Sequence, residues 1–160
     1  MRNVKLVITV GLPGSGKSTY LARLGVNAIS SDEVRRLLTD NPEDQPNNRR
    51  VFAIIRYLVE QRLQIARPVT YVDATHLKRW EREPYVEIAR RYGCELEALY
   101  FDVPVEICMN RNRERHRVVP TEAILTMQAG FEPPTSEEGF TTISRVQNYV
   151  GQGPDLPTEF

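Results

Sequence analysis

The sequence has no net charge, little cysteine and no long hydrophobic run. Its 21 lysines and arginines balance 21 aspartates and glutamates, which argues against a strongly basic nucleic-acid coat or a membrane-surface helix, so any basic site must be local. No apolar run approaches the roughly 18 residues of a membrane span, and the first residues lack the apolar stretch of a signal peptide. We therefore expect a cytoplasmic protein with no membrane partner.

Cysteine occurs twice, as Cys94 and Cys108, and no CxxC spacing is present. Both lie among apolar neighbours, which favours buried thiols over a disulfide framework. A chain of 160 residues is typical of one domain and can bury a substantial core without metals or disulfides. Since no repeat or long linker interrupts the sequence, we expect one domain over 1–150 and a frayed tail over 151–160.

Apolar runs alternate with helical patterns along the chain, which is typical of a parallel sheet with crossover helices. The patterns predict five strands, over 4–10, 27–29, 69–72, 96–101 and 141–146. They predict helices over 17–24, 49–66, 78–92 and 104–113, one that begins near 120, and one that begins at Ser30 with a capping box completed by Glu33. The helix over 49–66 is expected to bury five residues, Val51, Ile54, Ile55, Leu58 and Ile65. The fold class is therefore α/β, with a central parallel sheet flanked by helices.

A phosphate-binding loop follows the first predicted strand. The segment over 11–18, GLPGSGKS, matches GxxxxGK(S/T) at every fixed position and lies between a strand and a helix. Its glycines let backbone N–H groups face nucleotide phosphates, and the helix dipole adds to the attraction. Lys17 is predicted to bridge the phosphates and Ser18 to coordinate Mg²⁺. We expect ATP or another nucleoside triphosphate as the donor, bound by Gly14, Ser15, Gly16, Lys17, Ser18 and Thr19.

Two other interpretations of this loop are less favoured. A glycine-rich turn that binds nothing would not require all the fixed positions in a strand-to-helix context. The dinucleotide fingerprint GxGxxG fails because Thr19 stands where the third glycine would be. Nicotinamide chemistry is therefore disfavoured.

Three charged residues near strand ends are candidates for chemistry on the γ-phosphate. Asp32 follows the second strand, at the edge where open α/β sheets bind ligands, and a carboxylate there can accept the proton of an attacking hydroxyl. Arg35 lies on the same helical face and could hold an acidic acceptor, although such a pair is also common on plain helix surfaces. Asp73 ends an apolar strand in a Walker-B pattern. We assign Asp32 to the general base and Asp73, with Ser18, to the metal.

The segment over 111–117 carries arginine at alternate positions. Arg111 and Arg115 are four residues apart, so a helix would place both on one face as a mobile lid, about 111–120, over the triphosphate. An arginine on the transferring phosphoryl group contributes about 10³–10⁵ in rate. The alternative is a solvated basic face. His76 and His116 lack metal-ligand spacing and are given no catalytic role.

Together these motifs resemble those of the bacterial and phage polynucleotide 5′-hydroxyl kinases, particularly the kinase module of the bacterial RNA end-healing enzymes. The similarity covers about 1–146 and rests on five segments, over 11–18, 29–35, 44–45, 72–75 and 102–115. The resemblance implies a P-loop kinase fold with an arginine-bearing lid. The chain departs from the family pattern at His76, where we would expect Asn, and it lacks the DxDG-type phosphatase motif and a ligase domain.

The resemblance also implies a role for each matching residue. Lys17 and Ser18 would bind the phosphates and Mg²⁺, while Asp32 would be the base on the terminal 5′-hydroxyl. Arg35 would hold the acceptor's neighbouring phosphate. Arg111 and Arg115 would be the lid arginines that contact the donor phosphates. Asp73 would be the aspartate beneath the active site.

The favoured function is ATP-dependent transfer of the γ-phosphate to the 5′-hydroxyl end of RNA or DNA. Such an enzyme needs contacts to one or two acceptor phosphates, which Arg35 together with Arg49, Arg50 or Arg82 could provide. A small-molecule kinase of the same fold, acting on a nucleoside, sugar or nucleotide sugar, is the alternative that neutral charge mildly favours. A nucleotide-dependent switch module without transfer is the third hypothesis. The sequence has no motif that distinguishes RNA from DNA, and it identifies no protein partner.

Overall fold

The computed structural model describes residues 3–115 and 118–147. These ranges contain five strands: β1 (Lys5–Val10), β2 (Ile29–Ser30), β3 (Val69–Asp73), β4 (Glu95–Phe101) and β5 (Thr142–Val146). They contain six α-helices: α1 (Lys17–Arg23), α2 (Ser31–Thr39), α3 (Asn48–Gln64), α4 (Arg79–Tyr92), α5 (Val105–Arg113) and α6 (Thr121–Ala129). A 3₁₀ turn over Ser136–Glu138 precedes β5. The predicted domain end at 150, the predicted tail over 151–160 and His116 lie outside the described residues.

The five strands form one parallel sheet in the order β2-β3-β1-β4-β5. This arrangement confirms the predicted α/β fold class and the central parallel sheet flanked by helices. Because the strands are parallel, the loops that follow β1, β2 and β3 leave the sheet at the same edge. The phosphate-binding loop, the start of α2 and Asp73 are thereby brought to one place.

Strand β1 lies at the centre of the sheet and is apolar along most of its length because helices cover both faces. Leu6, Ile8 and Val10 belong to the core cluster that contains residues of α3 and α4. Val7 belongs to a second cluster, with Tyr20 of α1. The alternation of strand side chains between the two faces therefore anchors the loop that follows β1 in both layers.

The buried face of α3 differs from the prediction. Val51 and Ile55 are buried as expected, but Leu58 and Ile65 are exposed. The core face continues at a spacing of four residues, through Val59 and Leu63. Ile65 lies beyond the last residue of the helix, where the chain turns towards Pro68, so it cannot continue the stripe.

The start of α2 confirms part of the predicted capping box. The Glu33 backbone N–H donates to Ser30 Oγ at 3.3 Å, so Ser30 caps the helix as predicted. In a complete capping box the Glu33 carboxylate would accept the backbone N–H of Ser30. Here the carboxylate accepts hydrogen bonds from Arg36 instead. The competing i,i+3 ion pair explains the difference.

The structure also shows the state of the two cysteines and the lengths of the helices. Cys94 and Cys108 are both free thiols. Cys108 is fully buried, whereas Cys94 is half-buried, so the buried-thiol prediction is correct for Cys108 alone. No helix in the part of the chain that the structure describes combines the length and hydropathy needed to cross a bilayer.

Candidate active site

The loop between β1 and α1 has the backbone geometry that its glycines predict. Gly14 and Gly16 have φ angles of 81° and 93°, in the left-handed region that side chains rarely adopt. A Cβ atom at Gly14 would also collide with the backbone carbonyl of Cys108 in α5. The glycine is therefore required twice, for the turn of the loop and for the close approach of α5.

Lys17 is buried at the first position of α1. Its ammonium Nζ donates to the backbone carbonyls of Gly11 at 3.0 Å and Leu12 at 2.8 Å. Burial lowers the pKa of Lys17 to about 8, Asp73 opposes this shift, and the charge of Arg115 adds to it. The side chain is therefore mostly cationic at pH 7, with its charge held inside the loop.

Ser18 and Asp73 lie together, although 55 residues separate them in the chain. The Ser18 hydroxyl donates to Asp73 Oδ2 at 2.6 Å, and Asp73 is buried at the end of β3. A hydroxyl and a carboxylate are oxygen ligands of the kind that Mg²⁺ prefers, so these residues fit a magnesium site. Within residues 3–115 and 118–147, no group of three or more His, Cys, Asp or Glu side chains could hold a metal. Water or nucleotide phosphate could supply further ligands.

Asp32 and Arg35 form an ion pair in the first turns of α2. Arg35 Nη1 donates to Asp32 Oδ1 at 3.0 Å, and Arg35 Nη2 donates to Asn48 Oδ1 at 2.6 Å. The Arg35 side chain is almost completely buried, whereas that of Asp32 is 47% exposed. The guanidinium is thus fixed between α2 and the start of α3, and it orients a carboxylate that remains accessible.

Arg111 and Arg115 do not lie on one helical face, which contradicts the predicted geometry. Helix α5 ends at Arg113, and the chain turns at Glu114. Asn112 stabilises this turn because its side-chain amide donates to the Val119 carbonyl at 2.6 Å and accepts from the Val119 N–H at 3.0 Å. Arg111 Nη1 donates to the Ser15 carbonyl at 3.4 Å, so it contacts the phosphate-binding loop directly.

A cavity of about 1330 Å³ lies beside the phosphate-binding loop. It is lined by six of the predicted site residues, Lys17, Ser18, Asp32, Arg35, Asp73 and Arg115. The remaining predicted residues, Gly14, Ser15, Gly16, Thr19 and Arg111, are not among its lining residues; Thr19 is exposed on α1. The structure therefore brings the candidate base and the candidate donor site to one space.

His76 is a buried residue of the cavity wall that the sequence left without a role. Its Nδ1 lies 2.6 Å from the Thr9 carbonyl, which can only accept, so Nδ1 carries the proton. Its Nε2 then accepts from the Tyr85 hydroxyl at 3.2 Å. Burial lowers the pKa of His76 to about 4, so the ring is neutral at physiological pH.

The loop after β3 is bonded to β1 at several points. Thr9 Oγ1 donates to the Ala74 carbonyl at 2.7 Å, and the Ala74 N–H donates to Thr9 Oγ1 at 3.1 Å. The Gly11 N–H donates to the Thr75 carbonyl at 3.0 Å. With the contact between His76 and Thr9, these bonds join the cavity wall to the strand that carries the phosphate-binding loop.

Arg82 is buried and, unlike Arg35, is not among the residues that line the cavity, so it is not placed to bind an acceptor phosphate, which corrects one sequence-based suggestion. It forms a two-pronged ion pair with Glu138, at 2.8 and 3.1 Å, and donates to the His76 carbonyl at 2.9 Å. The sequence pattern did not reveal this role because the partners are 56 residues apart. Of the other two suggested arginines, Arg49 lines the cavity and Arg50 does not.

We expect the pH dependence of stability to include a contribution from His76. Its pKa rises from about 4 in the folded state to about 6.5 on unfolding, so the unfolded chain binds more protons between these values. The free energy of unfolding should therefore fall by about 3 kcal/mol as the pH drops from 7 to 4. Urea denaturation at each pH, with His76→Asn as the reference, isolates this contribution. Equal pH slopes for both proteins would contradict it.

One family model and several curated proteins match the sequence of this chain. A family model described as AAA domain (AAA_33) matches residues 6–134. A mouse (Mus musculus) L-seryl-tRNA(Sec) kinase is 33% identical over 76 residues, which cover 46% of this chain and 21% of that protein. A Schizosaccharomyces pombe bifunctional polynucleotide phosphatase/kinase is 24% identical over 147 residues, covering 89% and 33%. The chain thus spans about a fifth to a third of these two curated relatives.

Two solved structures have a similar fold. One, from the Pnkp1/Rnl/Hen1 RNA repair complex, has a TM-score of 0.68 and 24% identity, and the match covers 81% of this chain and 44% of that one. The other, a gluconokinase from Sinorhizobium meliloti, has a TM-score of 0.60 and 21% identity, with coverage of 91% and 83%. These similarities show that the chain has the fold of P-loop kinases.

Proposed function

The chain belongs to the AAA domain family, and we propose that it transfers the γ-phosphate of ATP to the 5′-hydroxyl end of RNA or DNA. The observation that supports this most directly is the shared cavity. Its lining includes Lys17 and Ser18 from the phosphate-binding loop, and Asp32 from α2. A bound triphosphate and a bound alcohol could therefore meet there without a large rearrangement.

On the donor side, the buried loop residues bind the triphosphate. Lys17 exchanges its carbonyl partners for phosphate oxygens and bridges them, and the backbone N–H groups of the loop supply further donors. Arg111 and Arg115 contact the donor phosphates from α5 and the turn after it. Ser18 and Asp73 would hold Mg²⁺, directly or through water; when bound, the ion neutralises charge on the phosphoryl oxygens.

On the acceptor side, Asp32 acts as the general base. The acceptor oxygen attacks the γ-phosphorus as its proton passes to the Asp32 carboxylate, and the bond to the bridging oxygen breaks so that ADP leaves with the electron pair. Arg35 holds the Asp32 carboxylate at 3.0 Å, and the same guanidinium would bind the phosphate next to the acceptor hydroxyl. A fixed arginine orients both groups at low entropic cost.

The names of the curated relatives favour an acceptor that is a nucleic acid or is attached to one. One relative is named for a polynucleotide substrate and the other for a seryl-tRNA substrate. The second candidate function is a small-molecule kinase, supported by the fold shared with a gluconokinase and by the zero net charge of the chain. Balanced charge favours this candidate mildly, because the sequence has no excess of basic residues for a long polyanion.

The decisive assay offers γ-labelled ATP and Mg²⁺ with 5′-hydroxyl oligonucleotides of RNA and DNA, and in parallel with nucleosides and sugars. Label on the oligonucleotide is the expected result, and the same oligonucleotide with a 5′-phosphate is the matched control that should stay unlabelled. Transfer to small acceptors alone would favour the second candidate. Binding of ATP without transfer to any acceptor would favour a nucleotide-dependent switch.

A further inference from the structure

One wall of the cavity is a regular stripe on α3. Arg49, Phe52 and Arg56 line the cavity at positions i, i+3 and i+7 of this helix, so they lie on one face. Seven residues correspond to about 10.5 Å along the helix axis. The stripe begins next to Asn48, which holds Arg35, and it therefore extends the candidate acceptor site away from Asp32.

The two arginines of this stripe keep their hydrogen-bonding capacity for a ligand. Across residues 3–115 and 118–147, the side chains of Arg49 and Arg56 form no hydrogen bond or ion pair with another residue. Arg62 of the same helix is different, since it donates to Thr70 Oγ1 at 3.0 Å and to the Val69 carbonyl at 2.9 Å. Arg62 is structural, whereas Arg49 and Arg56 have no hydrogen-bond or ion-pair partner among the described residues and suit an anionic ligand.

A large aromatic side chain also lines this cavity. Trp80, in the first turn of α4, is 67% exposed and is the only tryptophan of the chain. Exposed aromatic rings beside cationic side chains form the platforms on which proteins stack the bases of single-stranded nucleic acids. Glu81 is one of the carboxylates on the cavity wall, and it already accepts a hydrogen bond from the Lys78 backbone N–H at 3.1 Å.

The cavity is larger than a typical small-molecule pocket, and it includes the candidate donor site beside the candidate acceptor site. Pockets for small molecules measure about 300–1000 Å³, and this cavity measures about 1330 Å³. We propose that the cavity binds a single-stranded acceptor over at least two nucleotides, with phosphates beyond the first on Arg49 and Arg56 and a base stacked on Trp80. This inference rests on the proposed function and specifies the minimum length of the acceptor strand that the site binds.

The first test is a series of 5′-hydroxyl acceptors of increasing length, from a nucleoside 3′-phosphate to a tetranucleotide. We expect kcat/KM to rise about tenfold or more along the series, as each charge-assisted phosphate contact is added. Arg56→Gln should remove this gain and leave the nucleoside 3′-phosphate unaffected. Arg90→Gln, an exposed arginine at the far end of α4 and outside the cavity, is the matched control. Equal losses with short and long acceptors in Arg56→Gln would overturn the inference.

The second test uses the fluorescence of Trp80, which needs no transfer. A 5′-hydroxyl tetranucleotide added without ATP should quench this emission, and Trp80→Ala should raise the KM for the tetranucleotide about fivefold or more. Tyr57→Ala removes an equally exposed ring from α3 outside the cavity and should leave the KM unchanged. Unchanged emission at saturating tetranucleotide would contradict stacking.

The two tests separate the failure of the inference from that of the proposed function. If no oligonucleotide accepts label from ATP, the proposed function is wrong. If oligonucleotides of all lengths accept label equally well and Arg56→Gln has no effect, the proposed function stands and the extended acceptor site is wrong.

Discussion

Replacement of Asp32 by alanine is expected to lower kcat by about 10²–10⁴ while the affinity for ATP stays unchanged. The carboxylate lines the cavity, it is 47% exposed, and Arg35 holds it at 3.0 Å. A group in this position can take the proton of an acceptor hydroxyl, but it is not part of the loop that binds the phosphates. Steady-state kinetics and calorimetric titration with ATP measure the two effects separately.

Two further variants define what the Asp32 result means. Asp32→Asn keeps an oxygen that accepts from Arg35 but cannot take up a proton, so its kcat should fall as far as that of Asp32→Ala. Lys17→Ala, in the phosphate-binding loop, should weaken both ATP binding and transfer. An Asp32→Asn enzyme with full activity would show that the Asp32–Arg35 pair is an ordinary helix-surface pair.

Arg115→Ala is expected to lower kcat by about 10³ or more. Arg115 lines the cavity, and its charge contributes to the lowered pKa of Lys17, so its guanidinium acts on the region that the phosphates would occupy. An arginine there stabilises the charge of the transferring phosphoryl group. Rapid-quench measurement of single-turnover transfer from labelled ATP tests the chemical step itself.

Arg113→Ala is the matched control for this substitution. Arg113 belongs to the same basic segment, is exposed, and donates to Asn110 within its own helix at 3.2 Å. Its loss should have little effect on transfer, because exposed polar contacts contribute about 0–1 kcal/mol. Equal, small losses for both variants would support a solvated basic face instead of a lid.

The order of the strands and helices could be predicted because each element has a local pattern. Strand β1 is a run of apolar residues, and Gly11 marks its end. The phosphate-binding loop could be identified for a similar reason, since its fixed residues are contiguous. The buried face of α3 was predicted less well, because the position of the core relative to a helix depends on the layers that pack against it.

The parts of the site that the sequence did not reveal are those made by distant contacts. The Arg82–Glu138 ion pair joins residues 56 apart, and the hydrogen bond between His76 and Thr9 joins residues 67 apart. No spacing rule connects such residues. The position of Arg115 was mispredicted for a related reason, because Asn112 bonds to Val119 and the helix ends before Arg115. The catalytic roles of Asp32, Arg35 and Arg115 remain predictions for the experiments above.

The bonds from Thr9 and Gly11 to the segment after β3 have a consequence for how the enzyme would work. They tie the phosphate-binding loop after β1 and the cavity wall after β3 to two adjacent strands, so these two parts of the site cannot hinge against each other. The candidate base Asp32 follows β2, two strands from β1, so the spacing of about 4.8 Å between neighbouring strands separates the ends of β1 and β2 by about 10 Å before either substrate arrives. We expect any movement that excludes water to come from elements outside these strands, such as α6, whose Ala123, Thr126 and Met127 line the cavity.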